Sequence, residues 1–170
     1  MVIVYAWGAH SGVHVNPAVT FGLALSGKID RVKAAWSWVA QFVGASIAAF
    51  LLLYLAGTSG GLGAASGSLT ASDPLKTIGL KSVLTFFLVI AVFGAAVAGR
   101  NGNAAGFAIG FVLAMDIRMG GSLTGASMYP ARTFGPALAT GDLSCLWMYL
   151  VGPLLGGGVA GILSTRVFGK

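Results

Sequence analysis

Fifteen residues near the start of the chain, SGVHVNPAVTFGLAL (Ser11 to Leu25), return 113 positions later as TGASMYPARTFGPAL (Thr124 to Leu138) with eight identities. Each copy contains an apolar stretch of only about a dozen residues, Asn16 to Gly27 and Tyr129 to Gly141. A helix needs roughly 20 apolar residues to cross a hydrocarbon core, so neither stretch spans one. Both read as re-entrant segments that enter the bilayer and turn back. The similarity continues at an offset of 112, where Gln41-x-x-Gly44-x-x-x-Ala48 faces Pro153-x-x-Gly156-x-x-x-Ala160.

The segments around the copies supply the membrane. Ala34 to Leu55 carries no charge over 22 residues and is the clearest transmembrane helix. A second span runs from about Ile78 to Ala98, interrupted only by Lys81, and a short third from Ala104 to about Met119, ending in Asp116 and Arg118. The last, Leu146 to about Thr165, holds Pro153 and the triple glycine Gly156 to Gly158, small residues that let helix backbones approach closely in lipid. Met1 to about Gly8 reads as the tail of a helix. With 56% hydrophobic and 8% charged residues, the chain has too little charge to cover a soluble domain of its size.

Three spans lie between the copies, so their topologies are opposite. That is an inverted repeat, whose binding region is expected at the midplane between the short helices. The chain is thus expected to be an all-α membrane protein with one domain, 1–170, its first repeat covering about 1–55 and its second about 76–168. If Ala34 to Leu55 runs outward, then Lys28, Arg31, Lys33, Arg100, Arg166 and Lys170 fall on the cytoplasmic side, as the positive-inside rule asks. The glycine- and serine-rich segment Ala56 to Ser72 is then an external loop.

Several function classes are disfavoured. A net charge of +6 could suggest nucleic acid, but the ten basic residues are scattered between apolar spans, so no nucleic-acid partner is expected. Cys145 stands alone, which excludes an internal disulfide framework and a cysteine-based zinc site; it reads as a small apolar side chain at a helix start. Asp30, Asp73, Asp116, Asp142, His10 and His14 form no spaced pair of the kind hydrolytic or metal chemistry uses. No enzyme activity, metal or cofactor is expected. The start, MVIVYAWGAH, has no basic region or cleavage site and is not read as a signal peptide.

The residues at each dip suit a helix start. Asn16 is a preferred N-cap and Pro17 fits the first turn, where its missing N–H is not needed. Non-helical backbone at membrane depth is tolerated where it is buried in protein or lines a water-filled cavity, so two dips imply a pore. Two helix N-termini meeting near midplane, each carrying roughly half a positive charge, repel cations. A neutral, hydrogen-bonding solute is the expected passenger.

The strings SGVHVNPAVT and SMYPARTFGPAL, with Gln41 of AQFVGA and the helix GPLLGGGVAG, resemble the major intrinsic protein family of aquaporins and glycerol facilitators over essentially the whole chain. The resemblance implies an aquaporin-like inverted-repeat bundle with two re-entrant half-helices, lacking the family's first span and most of its second. It implies a channel for passive permeation of water or small neutral solutes, assembled as a tetramer in the plasma membrane or an internal membrane such as the vacuole. The pore boxes would be Asn16, Pro17, Ala18 and Tyr129, Pro130, Ala131, with Asn16 donating to the solute file. Ile117, Ala126 and Arg132 would form the selectivity filter, whose fourth position falls before Met1. Ile with Ala looks like tonoplast-type or broader-specificity members, which points to glycerol, urea or ammonia beside water. Two residues depart from the pattern: Tyr129 stands where the family has Asn, and Lys81 where it usually has a buried Glu. The alternative expectation is a non-conducting, truncated aquaporin-like protein or an assembly subunit.

Other side chains have simpler expected roles. Lys81 is read as snorkelling to head groups, and Asp116 with Arg118 as paired or solvated at the outer end of their helix. His14 is expected to hydrogen-bond backbone. Trp36, Trp38, Trp147 and Tyr149 read as interfacial anchors, and Phe86 and Phe87 as packing or lipid-facing residues.

Overall fold

The computed structural model describes residues 2–99 and 101–168. Among the described residues seven α-helices follow one another: α1 (Val2–Ser11), α2 (Pro17–Leu25), α3 (Arg31–Ala56), α4 (Pro74–Val92), α5 (Ala105–Thr124), α6 (Pro130–Thr140) and α7 (Leu146–Phe168). Four segments of the described residues are long and apolar enough to cross a membrane: α3, α4 with its continuation, α5 and α7. The protein is a multi-pass integral membrane protein.

Local chemistry sets the helix ends. Asp30 caps α3 by accepting from the backbone N–H groups of Val32 and Lys33, at 2.8 and 3.4 Å. Asp73 caps α4 by accepting from Lys76 N–H at 3.0 Å, with Pro74 in the first turn. The Lys76 backbone N–H first, and then its ammonium, 3.0 Å from Asp73 Oδ2, hold the half-exposed Asp73 carboxyl below its ordinary range. At its far end α4 widens into a π-helical turn, Phe93–Val97. The third span runs five residues past the expected Met119, because Gly120, Gly121 and Ser122 stay helical until Gly125 takes the left-handed conformation that ends α5. The two dips begin at Pro17 and Pro130, as the sequence predicts.

Packing follows the repeat. α2 packs mainly on α7 and α6 mainly on α3, so each half-helix lies against the long helix of the other half. Glycines permit the contacts: a Cβ on Gly22 would lie 2.7 Å from the Gly157 carbonyl of α7, and one on Gly135, its counterpart in the repeat, would run into the Ala45 carbonyl of α3. α4 and α7 form the most extensive helix pair. Apolar side chains gather in two clusters, one under each dip. Val19, Leu23, Val89, Phe93 and Ala160 make the first; Leu84, Leu88, Ala126 and Met128 make the second. Large apolar side chains such as Ile47, Phe87, Phe111 and Val159 are exposed on the spanning helices, as suits an apolar surrounding.

Counting crossings, the α2–α3 turn with Lys28, Arg31 and Lys33 and the end of α7 with Arg166 lie on one face. Arg100 and Lys170 lie outside the described residues. The glycine-rich loop between α3 and α4 is more ordered than its composition suggests. Its 3₁₀ turn, Ser59–Gly63, buries Leu62, and Ser68 and Leu69 N–H groups donate to the carbonyls of Ser122 and Leu123 at 3.1 and 2.9 Å. The loop therefore lies against the end of α5.

Candidate functional site

The two re-entrant loops share a set of equivalent bonds. Gly12 N–H donates to Gly8 O at 3.0 Å, and 113 residues on Gly125 N–H donates to Gly121 O at 2.8 Å. Gly12 and Gly125 have φ of 72° and 66°, and the next residues, Val13 and Ala126, have φ of 39° and 42°. A non-glycine residue at positive φ is strained, so finding one at the same place in both copies marks a constraint of the loop itself. Thr20 N–H donates to Asn16 O at 2.9 Å and Thr133 N–H to Tyr129 O at 3.2 Å. Both threonine hydroxyls return to those carbonyls, at 3.0 and 3.4 Å. Thr20 Oγ1 also bonds His14 Nδ1 at 3.0 Å, which Ser127 Oγ and Thr133 Oγ1 reproduce at 2.7 Å.

At the helix starts the copies diverge. Asn16 Oδ1 accepts from Ala18 N–H at 2.9 Å, an N-cap, while its Nδ2 donates to Met128 O at 3.0 Å. One side chain thereby closes its own helix and ties the two dips together. An amide carries two N–H groups, and this bond uses one. Tyr129 has the same extended backbone but makes no side-chain cap.

An open groove of about 540 Å³ runs beside the helix starts. Tyr129 and Arg132 line it with Val15, Gln41, Leu62 and Gly63, and α3 supplies one wall through Gly44, Ala48 and neighbouring small residues. Asn16, Pro17, Ala18, Pro130 and Ala131 are buried at the junction behind it. Of the expected filter, Arg132 borders the groove. Ala126 is buried in the cluster with Leu84, Leu88 and Met128, and Ile117 is 49% exposed on α5. Neither Ile117 nor Ala126 is among the groove's lining residues.

Each loop is braced from a neighbouring helix through a backbone carbonyl. Gln41 Nε2 of α3 donates to His14 O and to Thr20 Oγ1, and Trp38 Nε1 donates to Pro17 O at 3.0 Å. Lys81 Nζ of α4 donates to Ser127 O at 3.2 Å and, at a longer 3.4 Å, to Thr124 O.

Five expectations change. The His14 ring bonds the Thr20 hydroxyl at 3.0 Å rather than backbone. Lys81 does not snorkel: it is fully buried, its ammonium turned toward the second loop. Asp116 is neither paired with Arg118 nor solvated. It is 6% exposed with Oδ2 unpartnered, because it sits on the buried face of α5 with Gly120 and Thr124. Tyr149 is not an interfacial anchor but a core residue, 1% exposed, with its hydroxyl donating to Thr124 O at 2.9 Å and bonded to Thr70 Oγ1 at 3.0 Å. Trp38 is half-buried on the first dip, whereas Trp36 and Trp147 are exposed. Phe86 packs at the first cluster and Phe87 is exposed.

Sequence reasoning passed over Leu62 and Thr70, although Leu62 is the one large apolar residue in GTSGGLGAASGS. Thr20 and Thr133 were visible as an identity within the repeat, but nothing in their spacing gave their partners.

Two re-entrant half-helices in inverted copies, joined at their starts and flanked by spanning helices, define a membrane protein of the broken-helix, inverted-repeat class. The description Major intrinsic protein matches residues 1–164, and the chain belongs to that family. It is 42% identical over 173 residues to aquaporin TIP2-1 of Arabidopsis thaliana, covering 99% of this chain and 68% of that protein. It is also 42% identical over 161 residues to probable aquaporin TIP1-1 of Oryza sativa subsp. japonica, covering 93% and 63%. The chain thus spans about two thirds of the length of these curated relatives. The fold is similar to that of the aquaglyceroporin from Plasmodium falciparum, with a TM-score of 0.76, 22% identity, and coverage of 92% of this chain and 73% of that one.

Proposed function

We propose that the chain forms a passive transmembrane channel for water and small neutral solutes, with the groove at the paired helix starts as its solute path. The observation that carries this reading is the Asn16 to Met128 bond, which brings two positive helix ends together beside the groove that Tyr129 and Arg132 line. Helix N-termini and a guanidinium disfavour cations while leaving N–H donors for an uncharged solute. Asn16, Pro17, Ala18 and Tyr129, Pro130, Ala131 are assigned as the pore boxes, with the remaining amide N–H of Asn16 as a solute donor. Ile117, Ala126 and Arg132 are assigned as the filter, with Arg132 on the groove and Ile117 and Ala126 outside its lining. Glycerol, urea and ammonia are proposed beside water because an Ile and Ala pair is less polar than a filter bearing His. The names of the relatives, aquaporins, support water itself. We assign residues 1–170 to a single two-repeat domain and propose a homotetramer in the bilayer.

Stopped-flow light scattering on vesicles reconstituted with the chain tests the proposal. Water or neutral-solute flux above protein-free vesicles is expected, with no rise in ionic conductance. Folded protein giving no flux for water, glycerol, urea or ammonia would establish the second reading, a non-conducting assembly subunit, which the phenol of Tyr129 in the groove favours.

A further inference from the structure

We infer that the chain holds an anionic phospholipid along α3, its headgroup at Lys28, Arg31 and Lys33 and an acyl chain in an apolar groove between α3 and α6. Phe42, Val43, Ser46, Ile47 and Phe50 of α3 and Phe134 of α6 line this groove of about 440 Å³, which shares no residue with the one that Tyr129 and Arg132 line. The rings of Phe42 and Phe134 meet edge to face with centroids 5.2 Å apart. Ser46 is its one polar lining residue, and its hydroxyl donates to Phe42 O of the same helix at 2.8 Å. With that proton engaged inside α3, the groove suits a hydrocarbon chain rather than a polar solute.

The groove continues a stripe that starts among charges. At about 3.6 residues per turn, Val32, Trp36, Val39, Val43 and Phe50 fall on one face of α3, and all five are exposed. Arg31 and Lys33 lie about 100° to either side of Val32, so they flank the foot of the stripe, and Lys28 stands in the turn before it. All three are exposed. Among the described residues no carboxylate pairs with them: the ion pair is Lys76 with Asp73, and the Asp30 carboxylate accepts from the N–H groups of Val32 and Lys33. Phe42 and Phe50 lie roughly 14 and 26 Å along α3 from Lys33, at about 1.5 Å per residue. In a hydrocarbon core about 30 Å thick, a phosphate held at the foot of α3 sends its acyl chain to that depth. Trp36, one turn above the charges, has the place of an interfacial aromatic.

α6 is the wall between the two grooves. Phe134 borders the apolar one, whereas Arg132 and Pro136 border the other. On α3, Val43 and Ile47 line the apolar groove and their neighbours Gly44 and Ala48 the other. An acyl chain seated on Phe134 therefore bears on the helix that carries Arg132. The cations decide which lipid is held, because each Lys or Arg near a membrane surface favours an anionic lipid by about fivefold, and a zwitterionic headgroup has no net charge to offer. The consequence for solute flux rests on the proposed channel, but the binding of lipid does not.

Photolabelling of the full chain in vesicles tests this directly and requires no flux. The probes are phosphatidylglycerol and phosphatidylcholine bearing the same diazirine near the end of one acyl chain, each at the same low fraction in unlabelled phosphatidylcholine, with the labelled residues mapped by mass spectrometry. The phosphatidylglycerol probe is expected to mark residues 42–50 and Phe134 more than about tenfold above the phosphatidylcholine probe. Arg31→Gln combined with Lys33→Gln should lower the phosphatidylglycerol mark by about twenty-five-fold and leave the phosphatidylcholine mark unchanged. Arg31→Lys combined with Lys33→Arg, which keeps both charges, should label like the parent chain. Ser46→Phe, which fills the groove, should remove the mark from Phe134. Equal marking by the two probes, a phosphatidylglycerol mark unmoved by the double Gln variant, or groove residues that crosslink to a second copy of the chain instead of to lipid would each overturn the inference. If Ser46→Phe fails to fold, the variants at the exposed Arg31 and Lys33 decide it. A chain that conducts nothing is still labelled, so failure of the channel reading is separable.

Discussion

Asn16 and Met128, 112 residues apart in the chain, are joined by a buried 3.0 Å hydrogen bond from the Asn16 side-chain amide to the Met128 carbonyl. The same amide caps α2 through its oxygen, so one residue carries both the local start of a helix and the long-range union of the two dips.

Substitution separates those roles. Ser at position 16 keeps a capping oxygen but is too short to reach Met128, so Asn16→Ser should lose about 1–3 kcal/mol through the unpaired carbonyl. Asn16→Ala should lose about 1 kcal/mol more with the cap. Thermal unfolding in detergent measures both; Asn16→Ser as stable as wild type would show that the bond between the dips contributes nothing.

Gly44 and Gly156, equivalent in the repeat, should respond oppositely to alanine. A Cβ on Gly156 falls on the Ser82 carbonyl of α4, where Ser82 Oγ also donates to Gly152 O at 2.9 Å, so neither backbone can yield cheaply. Gly156→Ala should destabilise by about 1–3 kcal/mol. A Cβ on Gly44 meets nothing within 4 Å, and Gly44→Ala should be neutral or stabilise by up to about 1 kcal/mol through helix propensity. Melting midpoints of the two variants in one detergent check the contrast.

The sequence made the architecture legible because length and charge decide it. A dozen apolar residues cannot span, and a Pro after an extended residue suits the first turn of a helix, so Pro17 and Pro130 opened α2 and α6 as expected. What escaped was the direction of single side chains. Lys81 lies two turns inside its span, where composition gives the same signal for a lysine reaching outward to head groups and one turned inward. Only the third dimension supplies the Ser127 carbonyl and the Tyr149 ring that hold it inward. Asp116 failed likewise: Arg118 is close in sequence, but residues two apart on a helix do not face each other. Tyr149, near a helix start, has an anchor's position and a core residue's burial.

Arg132 borders the groove from the first turn of α6 with its guanidinium exposed and close to Gly63 of the external loop. Charge exclusion is assigned to it together with the two helix ends, since no ring of acidic residues lines the groove. Arg132→Val should leave neutral-solute flux intact or raised while increasing proton or cation leak in reconstituted vesicles. Leak equal to that of the parent chain would remove Arg132 from this role.

In the proposed channel, Tyr129 is the residue expected to set the amount of flux. It occupies the position of Asn16 in the second copy, with φ and ψ of −125° and 95° against −120° and 125°, so the backbone already accepts an asparagine. As tyrosine it leaves α6 without a side-chain cap and puts its ring among the groove-lining residues beside Val15 and Arg132. Asparagine would take the phenyl ring out of the groove and set an amide oxygen facing Ala131 N–H, the counterpart of the Ala18 N–H that Asn16 caps. The cap should add about 1 kcal/mol of stability. The larger effect is steric, because a single file of water needs every part of its width. Tyr129→Asn should therefore raise both the melting temperature and the stopped-flow water flux. Tyr129→Phe, which keeps the ring and loses only the hydroxyl, should conduct like the parent. If Tyr129→Asn is more stable yet conducts no better, the ring lies beside the solute path without narrowing it; if Tyr129→Phe conducts as well as Tyr129→Asn, the hydroxyl rather than the ring is the obstruction.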